Sequence, residues 1–317
     1  MPRVCLLLVT AFSASLPAVA GAPVREVSSI AYCPAKGLVA AAYRGGQVVL
    51  WEFDSARVRK VFNAAPPAVT WNKPLAQFSP DGNFLAFTQE GDAGLLAYQV
   101  DTGQSTLLVP KRLLVEGIAA LNWSPASDSI LVAVGRSIFL VSHGGRSRWQ
   151  RRLETRALIT DVAWHPSQKV YTVAVDDGEI STWEATSGRL IASARLDIGG
   201  YGVPVKVMWT DAYSLVAEVR GASLVWLDPE TLKPQTVTAC HCLDFAGSGT
   251  GIFAWEPPVV AVFSQAGRRA RELRTPFAGD GAIAWADGGR IFTPAADSAV
   301  DLRDARSGRV LRTFTLP

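Results

Sequence analysis

With 317 residues, 49% of them hydrophobic and 19% charged, the chain has ample material for a core, which excludes a disordered polymer. A formal net charge of +3 is too small for this length to leave a nucleic-acid footprint, which needs concentrated basic character. Four cysteines do not make a disulfide scaffold, so stability must come from apolar packing.

The first twenty residues read as a cleaved targeting segment. Arg3 gives a positive start, VCLLLVTAF an apolar stretch, and Ala18-Val19-Ala20 a small-x-small cleavage pattern that leaves Gly21 first in the mature chain. The other reading, a membrane anchor, needs about 20 apolar residues, and the run is shorter. The expectation is a periplasmic or secreted protein with one domain over 21–317. Cys33, Cys240 and Cys242 then remain, an odd number that leaves at least one thiol unpaired or bonded to another chain.

Beyond this segment the chain repeats itself. The clearest copy is 159–196, with four strand-like runs separated by His165-Pro166-Ser167, Asp176-Asp177-Gly178 and Thr186-Ser187-Gly188. Gly tolerates positive φ, Pro fixes φ, and Asp or Ser bonds its own backbone, so each separator is turn chemistry. Seven copies align on an aromatic near the end of the first run: Tyr32, Phe78, Trp123, Trp164, Trp209, Phe245 and Trp285. The intervals are 46, 45, 41, 45, 36 and 40 residues. Four antiparallel strands of this length cannot bury both faces alone, so the units must stack on one another.

The third run of each copy shares a pattern, as in VVLWEFD (48–54), ISTWEATSG (180–188) and AVDLRDARSG (299–308). With SPDG at 79–82 and the W-x-x-x-[ST]-G form of Trp183–Gly188, the chain resembles the WD-repeat family of β-propellers, in the divergent form of exported bacterial members. The resemblance covers about 25–317. It implies an all-β fold, a seven-bladed propeller of four-stranded antiparallel blades, with six or eight blades as alternatives. No third run ends in Trp-Asp and the Gly-His pair is missing, so the family's buried His–Asp network lacks its residues. Too little mature chain precedes residue 27 to lend a strand to the last unit. Each blade is therefore expected to be contiguous, with the ring closed by side-chain packing between blades one and seven.

The resemblance also implies that loops entering the first strand, and those joining second to third strands, gather on one face, the top. Long top loops are expected at 63–73, 110–117, 197–202 and 275–281. Arg44, Arg136, Arg156 and Arg220 fall on such loops, and Trp71 and Tyr201 are the aromatic candidates there. Together they would hold a protein or peptide partner, or an anionic group. Two arginine-rich runs, 146–156 and 268–274, fall where outermost strands should lie, and charge on an exposed edge keeps sheets apart.

Cys240-His241-Cys242 is the most provocative local sequence and is expected at the start of an inner strand. Strand alternation would put both sulfurs on one face and the imidazole on the other. A redox pair or soft-metal site is one reading, and small side chains packing between blades is the other. His165 reads as a turn residue, His143 as an exposed one, and Asp176-Asp177-Gly178 as a hairpin turn with a weaker calcium-loop reading. No G-x-S-x-G, H-E-x-x-H or phosphate-cradling glycine loop occurs. No catalytic residue and no cofactor is assigned. The expectation is a non-catalytic interaction platform of the cell envelope, binding no nucleic acid and carrying no later membrane span. The alternative is an enzyme or electron-transfer accessory, lactonase-like or quinone-dependent dehydrogenase-like, with its site at the channel mouth. Such enzymes need metal-binding carboxylates converging in the channel, and the inner strands contribute Asp161 and Asp244 and few other acids, which argues against a calcium centre.

Overall fold

The aromatic that marks each repeat lies in the first strand of a four-stranded antiparallel sheet, and there are seven such sheets. The computed structural model describes residues 26–44, 46–63, 75–89, 94–114, 116–142, 148–196, 203–211, 214–219, 222–248, 251–275, 282–286 and 288–317. Blades 1 to 7 span 27–63, 76–110, 118–154, 159–195, 204–239, 244–274 and 284–314. Within each, the strands pair in sequence order, so every blade is contiguous. First strands of successive blades touch one another in an unbroken cycle from blade 1 round to blade 7 and back, which makes them the inner wall of a closed propeller.

Burial explains the strand composition. The second strands are covered on both faces by neighbouring blades, so Leu38–Tyr43 and Ser129–Val134 are buried at every position and read as nearly continuous apolar runs. Outer strands face solvent, and Leu190–Arg195 and Pro234–Ala239 alternate between exposed and half-buried positions along most of their length. Both arginine-rich runs contribute outermost strands, Arg148–Glu154 in blade 3 and Arg269–Arg274 in blade 6.

The turns are built as their residues predict. In SPDG, Asp81 accepts hydrogen bonds from Ser79 Oγ at 2.6 Å and Asn83 N at 3.0 Å, while Gly82 takes φ +73°. Burial works against the Asp81 charge, but the bonds from Ser79, Asn83 and Ser127 hold its carboxyl below the usual carboxylate range. A Cβ on Gly82 would lie 2.4 Å from Cys33 Sγ in blade 1, so glycine is required for close approach as well as for its φ.

Among the described residues, blades 1 and 7 exchange no strand. Their seam is a cluster of Tyr43, Trp51 and Phe53 from blade 1 with Phe292, Leu302 and Phe314 from blade 7. Trp51 Nε1 donates to Thr315 O at 3.0 Å, Arg312 donates to Phe53 O, and the Arg290 and Arg312 guanidiniums lie 5.2 and 5.4 Å from the centre of the Phe53 ring. Side-chain packing closes the ring at this seam, together with one backbone hydrogen bond from Ala282 N to Val27 O.

Candidate functional site

Each seam of the inner wall carries a hydrogen bond from one first strand to the next, or to the residues just ahead of it. Ser29 Oγ donates to Ala76 O at 3.1 Å, Gln77 Oε1 accepts from Trp123 N at 3.3 Å, and Asn122 Oδ1 accepts from Trp164 N at 2.8 Å. Asp161 Oδ2 accepts from Val207 N at 2.8 Å. Lys206 Nζ donates to Asp244 Oδ1 and Phe245 O, both at 2.6 Å, and Asp244 Oδ2 accepts from Ile283 N at 2.8 Å. Ala282 N donates to Val27 O at 3.2 Å and completes the circle. The polar residues stand one or three places before the repeat aromatic, so strand alternation gives them one face.

Blades 4 to 6 hold the charged part of this wall. Lys206 is flanked by Asp161, Asp244 and its cross-strand neighbour Glu218, which is buried. Burial disfavours the Lys206 charge, but attraction to Asp244 and then to Asp161 and Glu218 outweighs it and holds the pKa above the ordinary lysine value. Burial pushes Asp161 up to about 6, against the opposing effects of the Val207 N–H and the Lys206 charge. The two acids that a channel metal centre would draw on are thus engaged in joining blades. Among the described residues, no group of three or more His, Cys, Asp or Glu is placed to hold a metal ion.

The arginines on the top loops are only partly brought together. Arg136 caps the turn between the second and third strands of blade 3, and its carbonyl accepts from Thr155 N at 2.8 Å. Arg156 follows Thr155 on the crossing to blade 4, and the side chains of Arg136 and Arg156 are both exposed. Arg44 is two blades away, in blade 1, and pairs with Glu26 at 2.9 Å. Arg220, Trp71 and Tyr201 lie outside the described residues, as does His143.

The Cys240-His241-Cys242 segment is not the start of a strand. The inner strand of blade 6 begins at Asp244, and the segment is the crossing from blade 5. Its alternation is real all the same: Cys240 and Cys242 are buried and His241 is exposed. The thiols pack among Val216, Leu224 and Trp226 of blade 5 and Phe245, Ile252 and Phe263 of blade 6. Both are free. Its hydrogen bond with Cys240, then burial, pushes the Cys242 thiol far above the usual range. Packing between blades is the arrangement found.

The remaining single residues are structural. His165 Nδ1 accepts from Ser167 N at 2.9 Å, and its ring meets Trp209 edge-on at 4.4 Å. Asp176 Oδ1 accepts from Leu158 N at 3.0 Å, and Asp177 takes Glu179 N and Arg195, both at 3.1 Å, so this pair braces a hairpin.

Residues 121–212 match the family described as "Anaphase-promoting complex subunit 4 WD40 domain". No curated protein sequence matches the chain. Among solved structures, Sqt1 of Saccharomyces cerevisiae is similar over 92% of this chain and 86% of its own, with 12% identity and a TM-score of 0.68. The class these findings define is a seven-bladed β-propeller similar to WD40-repeat domains.

Proposed function

We propose that this chain is a non-catalytic interaction platform of the cell envelope that holds a protein or peptide partner on its top face. The observation that carries the reading is the seam-bonded ring of blades: it fixes the inner strands from which the loops spring, a rigid frame on which a partner can dock. Similarity to WD40 propellers, whose usual work is protein binding, points the same way. The residues proposed for the site are Arg44, Arg136, Arg156, Arg220, Trp71 and Tyr201, of which Arg136 and Arg156 have exposed side chains and the last three lie outside the described residues. Export to the periplasm or beyond rests on the targeting pattern of residues 1–20.

The test is capture from an envelope extract of the host, with the full chain as bait beside an Arg44/Arg136/Arg220→Ala variant. A stoichiometric protein partner that the variant loses supports the platform and its site. Equal capture removes these residues from the site, and no capture at low or moderate salt removes the platform.

A further inference from the structure

Charge is sorted between the rim of the propeller and the rest of it. The seven outermost strands carry ten lysines and arginines against two acids, Glu154 and Glu272, in a chain whose totals are 31 and 28. Everything inside the rim is therefore net acidic. Keeping exposed edges apart requires charge but not one sign of it, so edge protection does not account for the bias.

Over part of the rim the arginines are also fixed in place. Arg271 of blade 6 donates to Ala305 O of blade 7 at 2.7 Å, Arg312 of blade 7 donates to Phe53 O of blade 1, and Arg59 of blade 1 donates to Val100 O of blade 2 at 3.1 Å. Each acceptor is the first residue after the third strand of its blade. Three successive seams thus carry the same latch, a guanidinium held on the next blade by a backbone carbonyl. A carbonyl positions the fork without cancelling its charge, and further N–H donors remain for a ligand. Other outer-strand arginines are neutralised instead: Arg195 by Asp177 at 3.1 Å, and Arg269 by Glu256 and Glu272 at 2.6 and 2.7 Å.

The latched turns add more positive charge. Arg306 and Arg309 in blade 7 and Arg57 in blade 1 are exposed. Asp304, in the first of these turns, is engaged within it, its Oδ1 accepting from Ser307 N and Ser307 Oγ, both at 2.6 Å. Glu52 and Asp54 are the exposed acids of the blade 1 turn. Guanidiniums take carboxylates and phosphates alike. Single-stranded nucleic acid would call for exposed aromatics on which bases stack, and a membrane surface for aromatics set into the interface. Among the described residues no aromatic is exposed. What stands between the cations is aliphatic, namely Val58, Val310 and Leu311, which suits the side chains of a peptide.

We propose that the rim from blade 6 through blade 7 to blade 1 binds an extended acidic segment of a partner protein, its carboxylates received by Arg271, Arg312 and the exposed arginines of the turns they latch. This surface lies on the circumference and does not depend on a partner at the top-face loops.

Fluorescence anisotropy on the full chain, with blocked dodecapeptides of alternating Glu-Thr, Gln-Thr or Lys-Thr, tests this. The Glu-Thr peptide should bind about tenfold more tightly than the Gln-Thr peptide, and the Lys-Thr peptide should not bind. Arg57/Arg306/Arg309→Gln breaks no latch and should weaken the Glu-Thr peptide roughly tenfold. Arg189/Lys233→Gln, the counterparts of Arg309 and Arg57 in blades 4 and 5, should leave its affinity unchanged. Arg271→Gln should weaken it as well; if that variant melts early, the triple variant decides alone. Equal binding of the Glu-Thr and Gln-Thr peptides, no binding at millimolar concentration, or a triple variant that binds as the parent does would overturn the proposal. So would tighter binding of a single-stranded oligonucleotide or of anionic phosphatidylserine vesicles than of the Glu-Thr peptide.

Discussion

Asp161 joins blades 4 and 5 from a site whose burial disfavours its charge. Its folded pKa, about 6, lies above the ordinary aspartate value of 3.8, so the folded state holds the proton longer than the unfolded chain. Stability should be complete below about pH 4 and decline as pH rises through 6, by roughly 2–3 kcal/mol. Asp161→Asn keeps an acceptor for Val207 N–H, so urea melts of the variant should lose that slope between pH 4 and 7. A slope unchanged in the variant would assign it to other groups. A sharper case is Arg303, buried in blade 7 with Asp301. Its guanidinium donates to Asp301 Oδ2 at 2.6 Å, Thr293 Oγ1 at 3.1 Å and Gly308 O at 3.1 Å, and Thr313 Oγ1 donates to Asp301 Oδ1 at 2.7 Å. Asp301→Ala strands a buried cation and should cost about 3–5 kcal/mol, whereas replacing both partners with apolar residues should cost far less. Comparable losses in the single and double variants would contradict this.

At the scale of elements, the repeat aromatic and its turn residues were sufficient to place all seven blades, because both are local. SPDG bonds within itself, and period-two burial marks outer strands such as Leu190–Arg195 and Pro234–Ala239. Seam contacts were not legible in the same way. The bonding residue stands one place before the aromatic at Gln77, Asn122 and Asp244 but three places before it at Ser29, Asp161 and Lys206, and its partner is some forty residues off. The Cys240–Cys242 segment misleads for a physical reason. A crossing squeezed between two apolar blades alternates buried and exposed residues just as a strand does, and only the ladder beginning at Asp244 tells them apart. Indole partners were hidden similarly: Trp209 Nε1 donates to Thr172 Oγ1 at 3.1 Å, the residue of blade 3 in register with Thr172 is Leu131, and nothing local distinguishes Trp164 from Trp209. Burial makes a prediction for the crossing: a thiol reagent should label Cys240 and Cys242 at the rate of unfolding, and fast labelling of the native protein would show the seam open.

For the whole molecule, the weak point to probe is the seam between the first and last blades. Phe314 is fully buried against Trp51, Phe53 and Phe292, with ring centres 5.9 to 6.4 Å apart. Phe314→Ala should cost about 3–5 kcal/mol. A chain ending at residue 309 loses the whole outer strand of blade 7 and should melt broadly instead of in one transition. If it melts as sharply as the full chain, the last outer strand does not matter for closure.

Because no strand is exchanged at that seam, each blade finishes its own hydrogen-bond ladder as soon as its fourth strand is made. During synthesis no edge of blade 7 has to wait for a segment made some 280 residues earlier, and no early segment must stay unpaired until the end. The last step is a docking of two finished surfaces. The same independence means that new termini cut at any other seam, with the old ends joined by a short linker, would sever no ladder, so circular permutants of this chain should fold to the same ring.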